Sequence, residues 1–322
     1  MPRNRTKQRN NRRLKNRKTK SFSGLKYIIL ALFVVAFLAY RIQPRSAGAK
    51  QPPPSEAIQL YDTLKSVPQG ELSVTFIDVG QGDCALIRSH CGATMLIDAG
   101  DRGRGARIMQ HLHSAGVSKI DYLVATHPHA DHIGSMAHII RNMEIGDIFM
   151  PRVQHNTNTF ENLIDAIIDK DLGVRTPAPG ERVSLGDAEV VFLSSACPRG
   201  TNNLNNNSIV LIVRYGEHSI LFTGDAERPV EDALVNARTN ISATVLDVGH
   251  HGSSTSTTAN FLRRVAPEIA VIQVGAGNRY GHPTQQTINR LTQRGTKIYR
   301  TDIHGTIQIT TNGTEITVKT EK

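Results

Sequence analysis

Residues 126–132 read Thr-His-Pro-His-Ala-Asp-His, between the strand-like run IDYLVAT (120–126) and a helical stretch over Ile133–Asn142. Three imidazoles and a carboxylate crowded at a strand end have no comparable use in packing. Alternate residues of an extended segment face the same way, so His127 and His129 can offer nitrogens to one divalent ion. The turn into the helix then presents Asp131 and His132 to a second ion. Paired ions roughly 3.5–4 Å apart are the clamp that two-metal hydrolysis requires. The chain must therefore fold so that a buried strand ends at an open cleft, where further ligands can arrive from elsewhere.

The rest of the chain supplies such a frame. Strand-like runs LSVTFIDV (72–79), CALIRS (84–89) and TMLIDAG (94–100) are separated by glycine turns, and Arg102–Ala115 is helical. A helix over Phe160–Lys170 follows. Further strands are expected at 189–194, 208–215, 219–223 and 243–248. A helix over Thr257–Val265 leads into a strand at 269–274. A helix over Pro283–Arg294, with Pro283 in its first turn, leads into a strand at 297–301. Strands 306–310 and 315–319 close as a hairpin around Asn312-Gly313. Paired strands followed by strand–helix alternation, in each of two halves, predict an α/β protein; a four-layer αββα sandwich with helices outside two sheets and a doubly wound sheet both fit that pattern, and the motifs below choose the sandwich.

Charge is unevenly distributed. The formal net charge is +10, yet 11 basic residues lie before Tyr27, three more lie by Lys50, and no acid precedes Glu56. From residue 56 onward 24 basic face 28 acidic residues, so the body is mildly acidic and offers no general basic surface for nucleic acid. Residues 1–26 form a basic cytoplasmic tail. Residues 27–42 hold the apolar run Tyr27–Tyr40, read either as an uncleaved single-pass anchor or as a secretory signal with Ala47-Gly48-Ala49 as its cleavage site. Residues 43–70 form a linker marked by Pro52-Pro53-Pro54, with a short helix expected over Glu56–Ser66. Residues 71–322 form the hydrolase domain. The positive-inside rule puts that domain outside the cytoplasmic membrane. Three cysteines, Cys84, Cys91 and Cys197, are too few and too odd for a disulfide scaffold and read as free thiols.

The motifs, taken in order, resemble the metallo-β-lactamase fold superfamily, and within it the extracytoplasmic hydrolase domain of ComEC/Rec2 competence proteins. The resemblance runs from about Leu72 to the end of the chain. It rests on His127-x-His129-x-Asp131-His132, on Phe76–Asp83 (FIDVGQGD), and on Leu96–Gly100 (LIDAG). Asn206-Asn207-Ser208, Thr223-Gly224-Asp225, Gly249–Ser253 (GHHGS), Tyr280–Pro283 (YGHP) and Arg300-Thr301-Asp302 complete it.

The resemblance implies two divalent metal ions, Mn²⁺ or Zn²⁺, held by His127, His129, Asp131, His132, Asp225 and His251, with Asp225 shared. His251 is chosen over its neighbour His250 as ligand, although the reverse assignment stays open. His282 is either a last ligand or a substrate contact. Asp98 is expected to orient the ligand loop, and Asp78, Gln81, Asp83, Asn207 and Ser208 to support the site or bind substrate. Asp131 is expected to orient the attacking water. His250 is the expected proton donor to the leaving oxygen, with His282 as rival. One departure stands out. Many members carry a further ligating histidine before Gly224-Asp225; His138 and His155 stand too early for it, and Asn206-Asn207-Ser208 occupies its place. The first ion site is thus poorer in nitrogen, which shifts preference towards Mn²⁺.

Three functions fit these residues. The resemblance implies a metal-dependent phosphodiesterase or nuclease acting on DNA at the membrane. The same core could serve another ester, such as phosphocholine on cell-wall polymers, a lactone or a β-lactam. A degenerate, metal-stabilised binding module is the third, and the intact donor set argues against it. Arg102, Arg104 and Arg107, with Arg263, Arg264, Arg279 and Arg290, are local cations that could meet phosphate.

Overall fold

Alternation along each apolar run decides how the chain layers. The structure, a computed structural model, describes residues 67–196 and 203–322. The first sheet contains β1 (Leu72–Phe76), β2 (Ala85–Ser89), β3 (Thr94–Ile97), β4 (Lys119–Val124), β5 (Glu144–Phe149) and β6 (Val174–Arg175). The second contains β7 (Arg182–Leu185), β8 (Ala188–Ser194), β9 (Val210–Tyr215), β10 (His218–Phe222), β11 (Val245–Asp247), β12 (Ile269–Ile272) and β13 (Lys297–Arg300). The chain then returns to the first sheet through β14 (Ile307–Thr311) and β15 (Ile316–Thr320), giving the orders β15-β14-β1-β2-β3-β4-β5-β6 and β13-β12-β11-β10-β9-β8-β7.

Leu72, Val74, Phe76, Ile87 and Met95 of the first sheet face Phe192, Leu211, Val213, Phe222 and Val271 of the second in one buried layer. Phe76 stacks on Phe222 at 5.9 Å, and Phe149 meets Phe192 at 4.6 Å. Burying each such ring stabilises the fold by about 1.5–3 kcal/mol. The alternate residues, such as Leu86 and Leu96, pack under the helices Gly105–Ser114, Met136–Asn142 and Asn158–Asp169. Leu221, Leu246 and Ile272 pack under Arg228–Asn236, Ala259–Val265 and Gln285–Thr292. This is the four-layer αββα sandwich.

Strand direction places the site. β3, β4 and β5 run parallel, as do β10, β11, β12 and β13. Their carboxyl ends therefore open onto one edge of the sandwich, where α/β sheets characteristically bind ligands.

Several local expectations fail for identifiable reasons. The helix expected over 133–142 is two pieces, Ala130–Ile133 and Met136–Asn142. Ser135 separates them, leaving the helical region at φ −106°, ψ 2° while its hydroxyl accepts the Arg104 N–H at 2.9 Å and donates to Asp101 O at 2.7 Å. Pro283 falls outside its helix, which starts at Gln285 with Thr284 as cap, the Thr284 hydroxyl accepting the Thr287 N–H. β5, β6, β7 and the helix Arg228–Asn236 have no counterpart in the sequence reading. β5 (EIGDIF) breaks its alternation at Gly146, where the Asp121 backbone presses in, and the helix Arg228–Asn236 buries a charged residue, Glu231, beside Val230 and Leu234. His111 is buried with Ile108 and Leu112 on the inner side of its helix, and His218 starts β10. Cys84 is buried and Cys91 exposed, both free; Cys197 lies outside the described residues. So do the basic tail, the apolar run, the helix expected at 56–66 and the linker up to residue 66. Among the described residues no helix is long and apolar enough to cross a membrane.

Candidate metal centre

The histidine loop is tied down from beneath. Asp98, fully buried just past β3 with φ 58°, accepts the Thr126 N–H at 2.8 Å, the Thr126 hydroxyl at 2.6 Å and His132 Nδ1 at 2.7 Å. That last bond leaves His132 Nε2 pointing at the site. Asp225 comes from the opposite sheet, at the end of β10. Gly224 lets its turn close: φ is 48°, and a Cβ would meet Thr126 side-chain atoms at 3.0 Å. The Ser208 hydroxyl accepts the Asp225 N–H at 3.1 Å.

His250 and His251 occupy a tight turn after β11, both at φ 53°. Non-glycine residues in that left-handed region cost about 1–3 kcal/mol each and persist only when their surroundings hold them. The His250 N–H donates to Gly224 O at 3.0 Å, and His251 Nδ1 lies 2.9 Å from Gln273 O and 3.1 Å from Asp83 Oδ1.

Two donor groups result. Asp83, His132, Asp225 and His251, all buried, bring one ligand atom each within 4.8 Å of one another; His127, His129 and Asp225 do the same. Asp225 belongs to both. Its Oδ2 is 3.5 Å from His127 Nε2, while its Oδ1 is 3.2 Å from His132 Nε2 and 3.6 Å from His251 Nε2. Asp131 reaches His251 Nε2 at 3.2 Å, and His127 Nε2 faces His129 Nδ1 at 3.0 Å.

These residues fit divalent cations. His132 Nε2 and Asp225 Oδ1 are buried and face each other without forming a hydrogen bond. Burial alone would push His132 and His251 down, but the nearby carboxylates, Asp225 foremost, outweigh it and hold both well above the usual imidazole range. Asp131 and Asp225, which burial would raise, are instead held low by their histidine neighbours. The carboxylates demand positive charge, and protonated imidazoles supply it where cations would. His127 and His129 are pushed down, chiefly by burial, and stand neutral and ready to ligate.

A pH dependence follows. Cation and proton compete for His132 and His251, and their raised pKa keeps the proton bound to higher pH. Affinity of the Asp83–His132–Asp225–His251 group should therefore rise with pH, with proton release on binding. Calorimetry with Mn²⁺ at about pH 6 and about pH 8, in buffers of different ionisation enthalpy, reads both. Affinity independent of pH, with no proton released, would contradict the assignment.

The donors floor a cleft of about 340 Å³ lined by Gln81, His129, Asp131, Asn205, His250 and Tyr280, among others. His250 lies beside the donor groups and belongs to neither: its Nε2 is 3.6 Å from Asp225 and its Nδ1 3.5 Å from Glu227. His282 lines the cleft 5.5 Å from the His250 ring, again outside both groups.

Two of the expected supporting residues stand elsewhere. Asp78 accepts the Gly80 N–H at 3.0 Å, approaches Arg107 at 3.5 Å and lines a neighbouring depression. Asn207 turns to the Asn203 carbonyl, away from the cleft, where Asn205 stands instead. Asp83 joins the donors themselves. Gln273 and Asp247 are absent from the sequence reading. Gln273 accepts the Cys84 N–H at 2.9 Å and donates to Asp247 at 3.1 Å, joining the Asp83 loop to the second sheet. Their only signal is a polar residue at the end of an apolar strand. Of the distant cations, Arg290 is structural, donating to the carbonyls of Ser254, Ser256 and Thr257.

A two-sheet αββα body with histidine- and aspartate-bearing strand ends meeting at one edge defines a metallo-hydrolase scaffold. Residues 77–275 match the metallo-beta-lactamase superfamily, and the chain belongs to it. It is 31% identical over 266 residues to ComE operon protein 3 of Bacillus subtilis, and 33% identical over 248 residues to competence protein ComA of Neisseria gonorrhoeae. These alignments take in 77% and 76% of this chain but 34% and 33% of the relatives, so the chain spans about a third of their length. Among solved structures, CmlA, a diiron β-hydroxylase from Streptomyces venezuelae, shares the fold at TM-score 0.50 and 16% identity, covering 74% of this chain and 54% of that one.

Proposed function

We propose that this chain is a metal-dependent phosphodiesterase whose substrate is DNA, working outside the cytoplasmic membrane. The observation that carries the hydrolytic reading is the pair of donor groups sharing Asp225 at the floor of an open cleft. Likeness to competence proteins favours DNA within the phosphodiester class. Two divalent ions held there by His127, His129 and Asp225, and by Asp83, His132, Asp225 and His251, would activate water and offset charge at phosphorus.

The chain's own residues do the rest. Asp131, partly exposed in the cleft and kept ionised by His251 and His132, accepts a hydrogen bond from the attacking water and aims it. His250, partly exposed beside Asp225 and Glu227, carries a proton to the leaving oxygen. Asp98 and Ser208 hold the two ligand-bearing turns still.

Protein loaded separately with Mn²⁺ and Zn²⁺ should cleave DNA and bis-p-nitrophenyl phosphate, and should leave p-nitrophenyl phosphorylcholine and a chromogenic β-lactam largely intact. The reverse pattern would replace this reading with the ester alternative. His250→Asn should lower DNA turnover by about 10²–10⁴-fold with metal content unchanged. The loss should be smaller for nitrophenolate, which departs without protonation. An equal loss on both substrates, or loss of metal, would pass the acid role to His282. The extracytoplasmic placement rests on the basic tail and apolar run of residues 1–40. A reporter fused after Lys322 should be active only outside the cytoplasm, and activity only inside would refute it.

A further inference from the structure

A row of side chains leads from the metal centre to solvent along one wall. His250 stands against Asp225, the His282 ring is 5.5 Å from that of His250, and the Tyr280 ring lies 6.0 Å from His282 at an angle of 21°. The Arg279 guanidinium sits 5.1 Å from the Tyr280 ring centre and donates to its hydroxyl at 3.0 Å. Tyr280 is 51% exposed and lines the cleft; the other exposed large apolar side chains among the described residues, Ile168, Val174 and Ile303, do not.

Tyr280 is also held in place. The Asn278 side chain accepts the N–H groups of Tyr280 and His282, both at 3.1 Å, and donates to the carbonyls of His282 at 2.6 Å and Gly275 at 3.0 Å. An aromatic ring exposed at the lip of a polar cleft, carried on a turn that Asn278 braces with four hydrogen bonds and joining none of the hydrophobic clusters, has no part in core packing. A phosphodiester group alone would leave its face idle. A planar, uncharged group one sugar away from that phosphate would use it.

We infer that Tyr280, with Arg279, is a stacking platform for an unpaired nucleobase next to the phosphodiester held at the metal centre. The inference rests on the proposed function and deepens it: the substrate is a polynucleotide strand with free base faces, since bases in a duplex are covered by their neighbours. Such a platform is sequence-tolerant, because every base has a π-face, and is worth about 1–3 kcal/mol per base. The guanidinium adds a cation–π component. Beyond Gln81, which lines both hollows, a depression of about 410 Å³ holds Arg104 and Arg107. Arg104 has no acidic partner within ion-pair distance among the described residues, and is free to meet the strand's next phosphate.

The test is direct binding to the Mn²⁺-loaded protein, read by fluorescence anisotropy with phosphorothioate-linked strands so that cleavage is suppressed. The probes are a labelled oligothymidylate and an abasic strand of equal length and linkage. Wild type should prefer the base-bearing strand by about tenfold. Tyr280→Ala should remove most of that preference, and Tyr280→Phe should keep it. Arg104→Ala should weaken both strands alike and leave the preference intact. Equal affinity of wild type for the two strands, a preference that survives Tyr280→Ala, or one that Arg104→Ala abolishes would overturn the inference. Turnover by the Mn²⁺-loaded protein is measured separately. A Tyr280-dependent preference without DNA cleavage would support the platform and defeat the proposed function.

Discussion

Asp225→Ala is expected to reduce hydrolysis to background and to cost the protein both metal ions. The carboxylate is the one group common to the two donor sets, with oxygens 3.5 Å from His127, 3.2 Å from His132 and 3.6 Å from His251. Its removal strips an anionic ligand from each set, and His132 Nε2 then faces no charge within the second sheet's turn. Asp98→Ala makes the informative contrast. Asp98 contacts no cation position and acts by holding His132 and Thr126, so its loss should weaken metal affinity by about 10–100-fold and spare part of the activity. Metal content by mass spectrometry and Mn²⁺ affinity by calorimetry read both variants. Full metal occupancy in folded Asp225→Ala would show that the shared carboxylate is not a ligand.

Gly82→Ala is expected to destabilise the fold severely and open the same site from the other side. Gly82 has φ +118°, and a Cβ there would stand 2.1 Å from the Asp131 carbonyl oxygen and 3.0 Å from its carbon. Both neighbours are backbone and cannot swing aside. The backbone conformation costs about 1–3 kcal/mol, and forcing the two loops apart about 1–3 kcal/mol more. Separation would also break the Asp83 N–H to Asp131 O bond, 3.2 Å, and so withdraw Asp83 from its donor group. Gly70→Ala controls for the backbone term, because Gly70 also has positive φ, +76°, with nothing within 4 Å of its Cβ position. Thermal unfolding should place Gly70→Ala below wild type by the backbone term alone and Gly82→Ala well below both, with metal affinity lost only in the latter. Equal melting temperatures for the two variants would refute this close-contact account.

Both predictions concern tertiary contacts that local sequence does not encode, and the same division runs through the whole molecule. LSVTF alternates, whereas ALIRS, VLIVRY and HSILF carry continuous apolar runs; all are legible as strands from their length and flanking turns, and they are buried on both faces because each sheet lies between a second sheet and helices. Asn312-Gly313 marks the last hairpin because Gly313, at φ +95°, takes a turn conformation closed to other residues. The histidine–aspartate run at the end of β4 is legible as a donor cluster because its spacing alone brings it together. β5 and the helix Arg228–Asn236 are not legible: one is interrupted by a glycine that only a neighbouring strand explains, and the other buries Glu231, which accepts the Thr257 and Thr258 N–H groups.

Sequence by itself thus determined the strand and helix runs and the donor cluster at one strand end, which follow from short-range spacing, and the resemblance of its ordered motifs implied the superfamily and its two-sheet layering. Tertiary structure decided which donors converge. It put Asp83 among them and Asp78 outside, chose Asn205 over Asn207 for the cleft wall, and seated His251 in a donor group with His250 beside it. The reason is physical. Those outcomes depend on loop dihedrals, such as φ 53° at both histidines, and on pairings such as Leu72 with Thr311 that join segments far apart in the chain. No local pattern carries that information, because the energy that selects it comes from contacts made only once both sheets are assembled.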